Sequence, residues 1–151
     1  MKKISRAFRK TRLQIGAIPV RSAPDGSLEI LLVTTRATKR WTVPKGWPIK
    51  GLKAHEAAAR EAQEEAGVVG RISRKSAGRY LYWKRLSTHF LLCKVKLYVL
   101  VVETRLDSWP EQHQRLNHWF KAADAADLVD EPGLKEALRS LKLKQAKPKR
   151  R

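Results

Sequence analysis

Residues 53–66, KAHEAAAREAQEEA, constrain this chain more than any other stretch. Alanine, glutamate and arginine are strong helix formers, and no proline or β-branched residue interrupts them. Gly67 follows, where a helix needs a residue that tolerates the left-handed terminating conformation. Ahead of the helix, residues 44–51 contain two glycines and two prolines and read as a loop. At 100° per residue, Glu61, Glu64 and Glu65 fall on one face within a single turn. His55, Ala59, Ala62 and Ala66 fall opposite, a side small enough to lie close against a sheet, so the carboxylates are expected to point away from that sheet.

Three carboxylates in one turn repel one another by a few tenths of a kcal/mol per pair, which a solvated face tolerates. A divalent metal is the other reading. Mg²⁺ takes hard oxygen ligands, one or two carboxylates per ion, with water and substrate phosphate completing an octahedron. The chain has only 14 Asp and Glu against 33 Lys and Arg, yet concentrates three acids within five residues. Helix geometry alone leaves both readings open.

Around this helix the pattern is that of one domain in 151 residues. Residues 13–20 and 28–35 are apolar runs separated by Pro24-Asp25-Gly26, which predicts a hairpin. Residues 41–43 read as a third strand. Within 68–104, β-branched and aromatic residues dominate, and alternation places Cys93, Val95, Leu97, Val99 and Val101 on one face, with Lys94, Lys96 and Tyr98 on the other. Residues 106–114 read as a polar loop, 116–120 as a strand, and 122–129 and 133–143 as helices. Strands on both sides of a central helix, with helices at the end, predict a layered α/β arrangement with a mixed sheet. The expected organisation is a basic tail over 1–12, the domain over 13–143 and a basic tail over 144–151.

The net charge of +19 attracts polyanions without choosing among them. Much of it lies in MKKISRAFRKTR and LKLKQAKPKRR, which read either as solvated tails or as a nucleic-acid contact. Arg6, Arg9, Lys10 and Arg12 interrupt the place where a signal peptide needs an apolar core, and no segment approaches the roughly 18 apolar residues of a membrane span. Cys93 is the only cysteine, which excludes an internal disulfide and a multi-cysteine zinc site. A cytoplasmic protein without a membrane partner is the expectation. There is no nucleophile-elbow pattern for a serine enzyme.

The stretch GWPIKGLKAHEAAAREAQEEAGV, from Gly46 to Val68, resembles the Nudix box: Gly, five residues, Glu, seven residues, then Arg-Glu-apolar-any-Glu-Glu-any-Gly-apolar. Eight of the nine defining positions match, and Leu52 stands where the first glutamate belongs. The resemblance implies an α/β/α sandwich with a central mixed sheet and a loop–helix–loop catalytic motif, and a Mg²⁺-dependent pyrophosphohydrolase, with Mn²⁺ as the alternative ion. It implies Glu61 and Glu65 as metal ligands, Glu64 as ligand or as the base that takes a proton from water, and the Gly46 carbonyl as a further ligand. In some members the base lies on a later loop, which makes Glu103 and Glu111 candidates, although surface decoration is the simpler role for each. The missing glutamate supports the box arginine, and Glu56, four residues before Arg60, is expected to pair with that arginine instead.

The flanking LLVTTRATKRWTVPKG is similar to the branch of diphosphoinositol polyphosphate phosphohydrolases and, less closely, to diadenosine polyphosphate hydrolases. That implies a small phosphorylated anion as substrate, a diphosphoinositol polyphosphate or a nucleoside or dinucleoside polyphosphate. Arg12, Arg36, Lys45, Lys94 and Lys96 are then the cations expected to face it, each with a solvated surface role as its plainer alternative. Trp41, Trp47 and Tyr98 are candidates for base stacking, while Trp83, Trp109 and Trp119 read as core or edge packing. His55 reads as a packed residue. The competing class is a Nudix-fold protein that has lost catalysis, or that processes RNA ends, and binds nucleic acid through its basic surface.

Overall fold

The computed structural model describes residues 11–142, so the basic segments 1–10 and 143–151 lie outside the described residues. The chain folds as a hairpin, β1 (Arg12–Ser22) and β2 (Leu28–Thr34), then the short strands β3 (Trp41–Thr42) and β4 (Lys45–Gly46), and helix α1 (Ala54–Ala66). Strands β5 (Val68–Ile72), β6 (Gly78–Arg85), β7 (Phe90–Arg105) and β8 (Asn117–Lys121) follow, then helices α2 (Ala122–Leu128) and α3 (Pro132–Arg139). The expected hairpin forms, with Val20 opposite Ile30, and Asp25 accepts hydrogen bonds from the Ser27 amide and hydroxyl in its turn.

One eight-stranded mixed sheet results. Its parallel element is β1 on β7, running from Arg12 opposite Cys93 to Val20 opposite Val101. Long, apolar β7 serves as the spine because β5 and β6 both pair antiparallel with it. Ile18, Val20, Val95, Leu97 and Val99 pack on one side of the sheet against Ala125, Ala126, Leu134 and Leu138 of α2 and α3. Ile15, Ala17, Leu31, Tyr98 and Leu100 pack on the other against Ala57, Ala58, Ala62 and Ala66 of α1. Two cores on opposite sides of one sheet make the α/β/α sandwich. Among the described residues no helix is long and apolar enough to cross a membrane.

Several local expectations are corrected. The segment 44–51 is not wholly loop, because Lys45 and Gly46 pair with Gly16 and Ile15 of β1. The last helix is Pro132–Arg139 and not 133–143. Helix α1 buries Ala57, Ala58, Ala62, Glu65 and Ala66, so its packed face is rotated from the one through Ala59, and Glu65 lies on it. Tyr98 occupies the second face of β7 as alternation requires, but that face is covered there: Tyr98 is 4% exposed, with its ring 6.3 Å from that of His55 on α1.

Candidate active site

Helix α1 begins without a good N-cap residue, and Glu56 compensates by accepting a hydrogen bond from the Lys53 amide at 2.8 Å. That contact removes Glu56 from the role expected of it. No ion pair joins Glu56 to Arg60 among the described residues, and both are exposed. Leu52, in place of the box glutamate, closes a turn by donating its amide to the Ile49 carbonyl at 3.0 Å. The helix ends at Gly67, with φ 68° and ψ 28°. The Trp109 ring fills the space that a side chain at Gly67 would need.

This seals the loop after β7 onto the end of α1. The Leu106 amide donates to the Gly67 carbonyl at 2.7 Å, and the Glu111 amide to the Glu64 carbonyl at 3.0 Å. Glu111, expected on the surface, is thereby brought to the acidic turn, while Glu103 is exposed on β7. Arg115 then reaches back: its Nε is 2.9 Å from Glu111 and 3.8 Å from Glu65, and its Nη1 donates to the Thr34 carbonyl at 3.0 Å. Residue type alone gave no reason to single out Arg115; its spacing of four from Glu111 was the available signal.

Burial sets the electrostatics. Glu65 is 5% exposed, and that burial pushes its carboxyl up to about 8, with Arg115 and Lys45 opposing. Glu61 is also raised, first by burial and then by the charge of Glu64, and it shares a hydrogen bond with Glu65. Glu64 is half-buried. On the other side, burial pulls Lys45 down to about 8 against the pull of Glu65 and Glu131. Its ammonium lies 5.1 Å from the centre of the Tyr82 ring, and the Tyr82 hydroxyl is 2.5 Å from Gln14.

Glu65, Lys45, Tyr82 and Gln14 line a cleft of about 360 Å³. Glu65, Lys45 and Arg115 lie inside, Arg36 and Arg40 approach from the turn between β2 and β3, and Lys84 and Arg85 approach from the end of β6. Of the five cations expected from the sequence, the cleft thus brings together Arg36 and Lys45. Arg12 stacks instead over the Trp47 ring at 5.7 Å. Lys94 lines a different cavity with Arg79 and Leu81, and Lys96 is exposed, 5.9 Å from the Tyr98 ring. Among the aromatic candidates, Trp41 packs edge-on against Phe120 at 5.0 Å and Trp47 is partly exposed. Trp83, expected to pack, is 60% exposed at the rim of the cleft.

The donor set fits a divalent cation. Glu61 presses so closely on Gly46 that a side chain at that glycine would occupy the carboxylate's place, which sets the Gly46 backbone beside the acids. Burial raises two of the three carboxyls, and the charge of a neighbouring glutamate adds to it, Glu64 on Glu61 and Glu61 on Glu65, a state that a bound cation relieves. Among the described residues no three acidic, histidine or cysteine side chains already stand at coordinating distances. The fit therefore rests on the chemistry of these donors and on their placement along one turn.

A cleft lined by lysine and arginine thus stands beside an acidic helix turn in an α/β/α sandwich. The NUDIX domain family model matches residues 10–141. The chain is 33% identical over 142 residues to Nudix hydrolase 18, mitochondrial, of Arabidopsis thaliana, covering 89% of this chain and 78% of that protein. It is 33% identical over 120 residues to diphosphoinositol polyphosphate phosphohydrolase 2 of Rattus norvegicus, covering 76% of this chain and 63% of that one. Two solved structures share the fold. A binary complex of the Ap4A hydrolase of C. elegans gives a TM-score of 0.63 at 22% identity, over 85% of this chain and 93% of that chain. The NUDIX domain of Shewanella oneidensis NrtR, complexed with ADP ribose, gives 0.61 at 17%, over 93% and 89%. The chain belongs to the Nudix family, whose hydrolases generally use divalent metal ions, and it is an enzyme of the pyrophosphohydrolase kind.

Proposed function

We propose that the chain hydrolyses a phosphoanhydride bond of a small, multiply phosphorylated substrate, a diphosphoinositol polyphosphate or a nucleoside or dinucleoside polyphosphate, with Mg²⁺ as its metal. The observation that carries this reading is the juxtaposition of buried Glu65 with Lys45 and Arg115 in one cleft, where Arg36, Arg40, Lys84 and Arg85 supply further positive charge. A chain of phosphates offers several oxygens to such a set, and each charge-assisted contact is stronger than a neutral one.

Glu61, Glu64 and Glu65, with the Gly46 carbonyl, would hold the metal, which supplies charge neutralisation on the phosphoryl oxygens when bound. Lys45 and Arg115, each held by several contacts, fix phosphate oxygens in place, and Arg36 and Arg40 grip the phosphates farther from the cut. Glu61 is hydrogen-bonded to Glu65, and Glu65 and Glu111 both face Arg115. Among the described residues no ion pair engages Glu64. A Glu64 oxygen that the metal does not take is then placed to accept the proton from the attacking water.

The test is a phosphate-release screen over nucleoside triphosphates, dinucleoside polyphosphates, diphosphoinositol phosphates and capped RNA, with Mg²⁺, Mn²⁺ and no metal. Glu64→Gln serves as the control. Release from at least one small polyphosphate, dependent on metal and lost in Glu64→Gln, is expected; metal-independent release, or none from any substrate, would overturn the reading.

A further inference from the structure

Lys94 and Lys96, expected at the substrate, lie on a different surface, and their neighbours give that surface a character of its own. Lys94 stands in register with Leu13 on β1 and Leu81 on β6, and Lys96 with Ile15 and Arg79. One step further along the ladder Leu92 is opposite Trp83, and then Phe90 is opposite Arg85. Alternation puts all of these side chains on the face of the sheet that α1 covers from Ile15 and Tyr98 across to Ala17, Leu31, Val33 and Leu100. Beyond the helix the face is open: Leu81 is 45% exposed, Trp83 60% and Phe90 62%. A cavity of about 610 Å³ runs along the edge of β6, where Arg79, Leu81 and Lys94 meet Gly133.

An exposed aromatic and apolar patch on a sheet face marks a binding surface more often than a solvated one. The charges around it select the partner. Residues 66–102 contain eight lysines and arginines and no acid. Arg79, Arg85, Lys94 and Lys96 interleave with the exposed rings and leucines, and among the described residues no ion pair engages any of the four. Two copies of this face repel each other, whereas a polyanion with flat apolar groups along its length satisfies both components at once. Single-stranded nucleic acid has that composition, with phosphates for the cations and a π-face on every base for the rings.

We propose that this face of β6 and β7 binds single-stranded nucleic acid, with Trp83 and Phe90 stacking on bases and Arg79, Lys94 and Lys96 contacting phosphates. Trp83, Arg85 and Phe90 also border the catalytic cleft, so a strand lying on the face runs towards the cations around Lys45. The inference stands on the register, exposure and charge of the sheet face and does not depend on which bond the cleft hydrolyses.

The test measures binding without turnover, so its failure leaves the hydrolase reading untouched. Fluorescence anisotropy of a labelled 12-nucleotide oligouridylate is titrated with the full chain in metal-free buffer at several salt concentrations. Binding is expected with a steep salt dependence; Trp83→Ala weakens it by about tenfold or more, and Trp83→Phe retains most of the affinity. Lys94→Gln together with Lys96→Gln lowers the salt slope by about 1.4, roughly 0.7 for each charge removed. Unchanged affinity in a folded Trp83→Ala chain would overturn the proposal, since the grip would then lie elsewhere, including the basic ends. Equal competition by polyglutamate of similar length would reduce the surface to charge alone. A concentration-dependent dimer that Leu81→Ser dissociates would assign the patch to a second copy of the chain.

Discussion

Glu65 and Arg115 face each other across 3.8 Å at the seam between α1 and the loop before β8, both side chains almost withdrawn from water. The acid is buried more deeply than its partner can offset, and its carboxyl is pushed up to about 8. The folded chain thus holds a proton that the unfolded chain releases near the ordinary value of 4.5. The stability linked to that proton is complete below about pH 4.5 and is lost as pH rises to about 8. Urea unfolding of the metal-free chain is expected to show this decline, with saturating Mg²⁺ restoring stability at the alkaline end. Glu65→Gln should flatten the profile; an identical slope in that variant would show that another group is responsible.

Arg115 also holds Glu111 and the Thr34 carbonyl. Arg115→Met leaves the largely buried Glu111 carboxylate without its cation and the Glu65 carboxyl without a donor, and is expected to cost about 3 kcal/mol of stability in urea titrations at neutral pH. Arg115→Lys should recover only part of this, because a point charge cannot reproduce the guanidinium fork.

Gly46 is expected to be intolerant of any side chain although its backbone is ordinary extended strand. Gly46→Ala drives a methyl group into the Glu61 carboxylate, so the acid must swing away from the acidic turn. Turnover should fall by about 100-fold, the scale on which a displacement of an ångström acts at a reacting centre, while far-ultraviolet circular dichroism stays that of the parent. Full activity in Gly46→Ala would remove the glycine from the site.

Glu56 caps its own helix instead of pairing with Arg60. Glu56→Gln can still accept from the Lys53 amide and is expected to match the parent in turnover. Glu56→Ala should lower stability by about 1 kcal/mol without altering metal affinity. A change in metal affinity, measured calorimetrically, would restore the supporting role that the box pattern implies.

The elements that were legible in the sequence are those set by local chemistry. The run of Ala, Glu and Arg before Gly67 specifies α1, the Pro-Asp-Gly turn specifies the first hairpin, and the alternation of β7 separates its two faces. What local pattern cannot register is how much of each face the rest of the chain covers. Tyr98 and Lys96 share a face of β7, yet α1 covers one and leaves the other in water. Glu65 belongs to the acidic turn by spacing and to the packed face by burial, because the true contact runs through Ala57 and Ala58. Glu111 and Arg115 come to the site through hydrogen bonds between elements separated by more than 40 residues, and Trp83 projects at the open end of a sheet whose helix stops short of it.

The two backbone hydrogen bonds that run from Leu106 and Glu111 to the carbonyls of Gly67 and Glu64 act as a ruler. An inserted residue between these tethers would have to bulge outward or break the Glu111 tether and carry Arg115 away from Glu65, so this segment has little freedom of length. The two lips of the cleft, at residues 35–40 and 84–90, are not tied to the helix in this way and can lengthen or change sequence without disturbing the acids. The chemistry is thus anchored on one margin of the cleft, and the freedom to adapt to a new leaving group is left on the opposite margins.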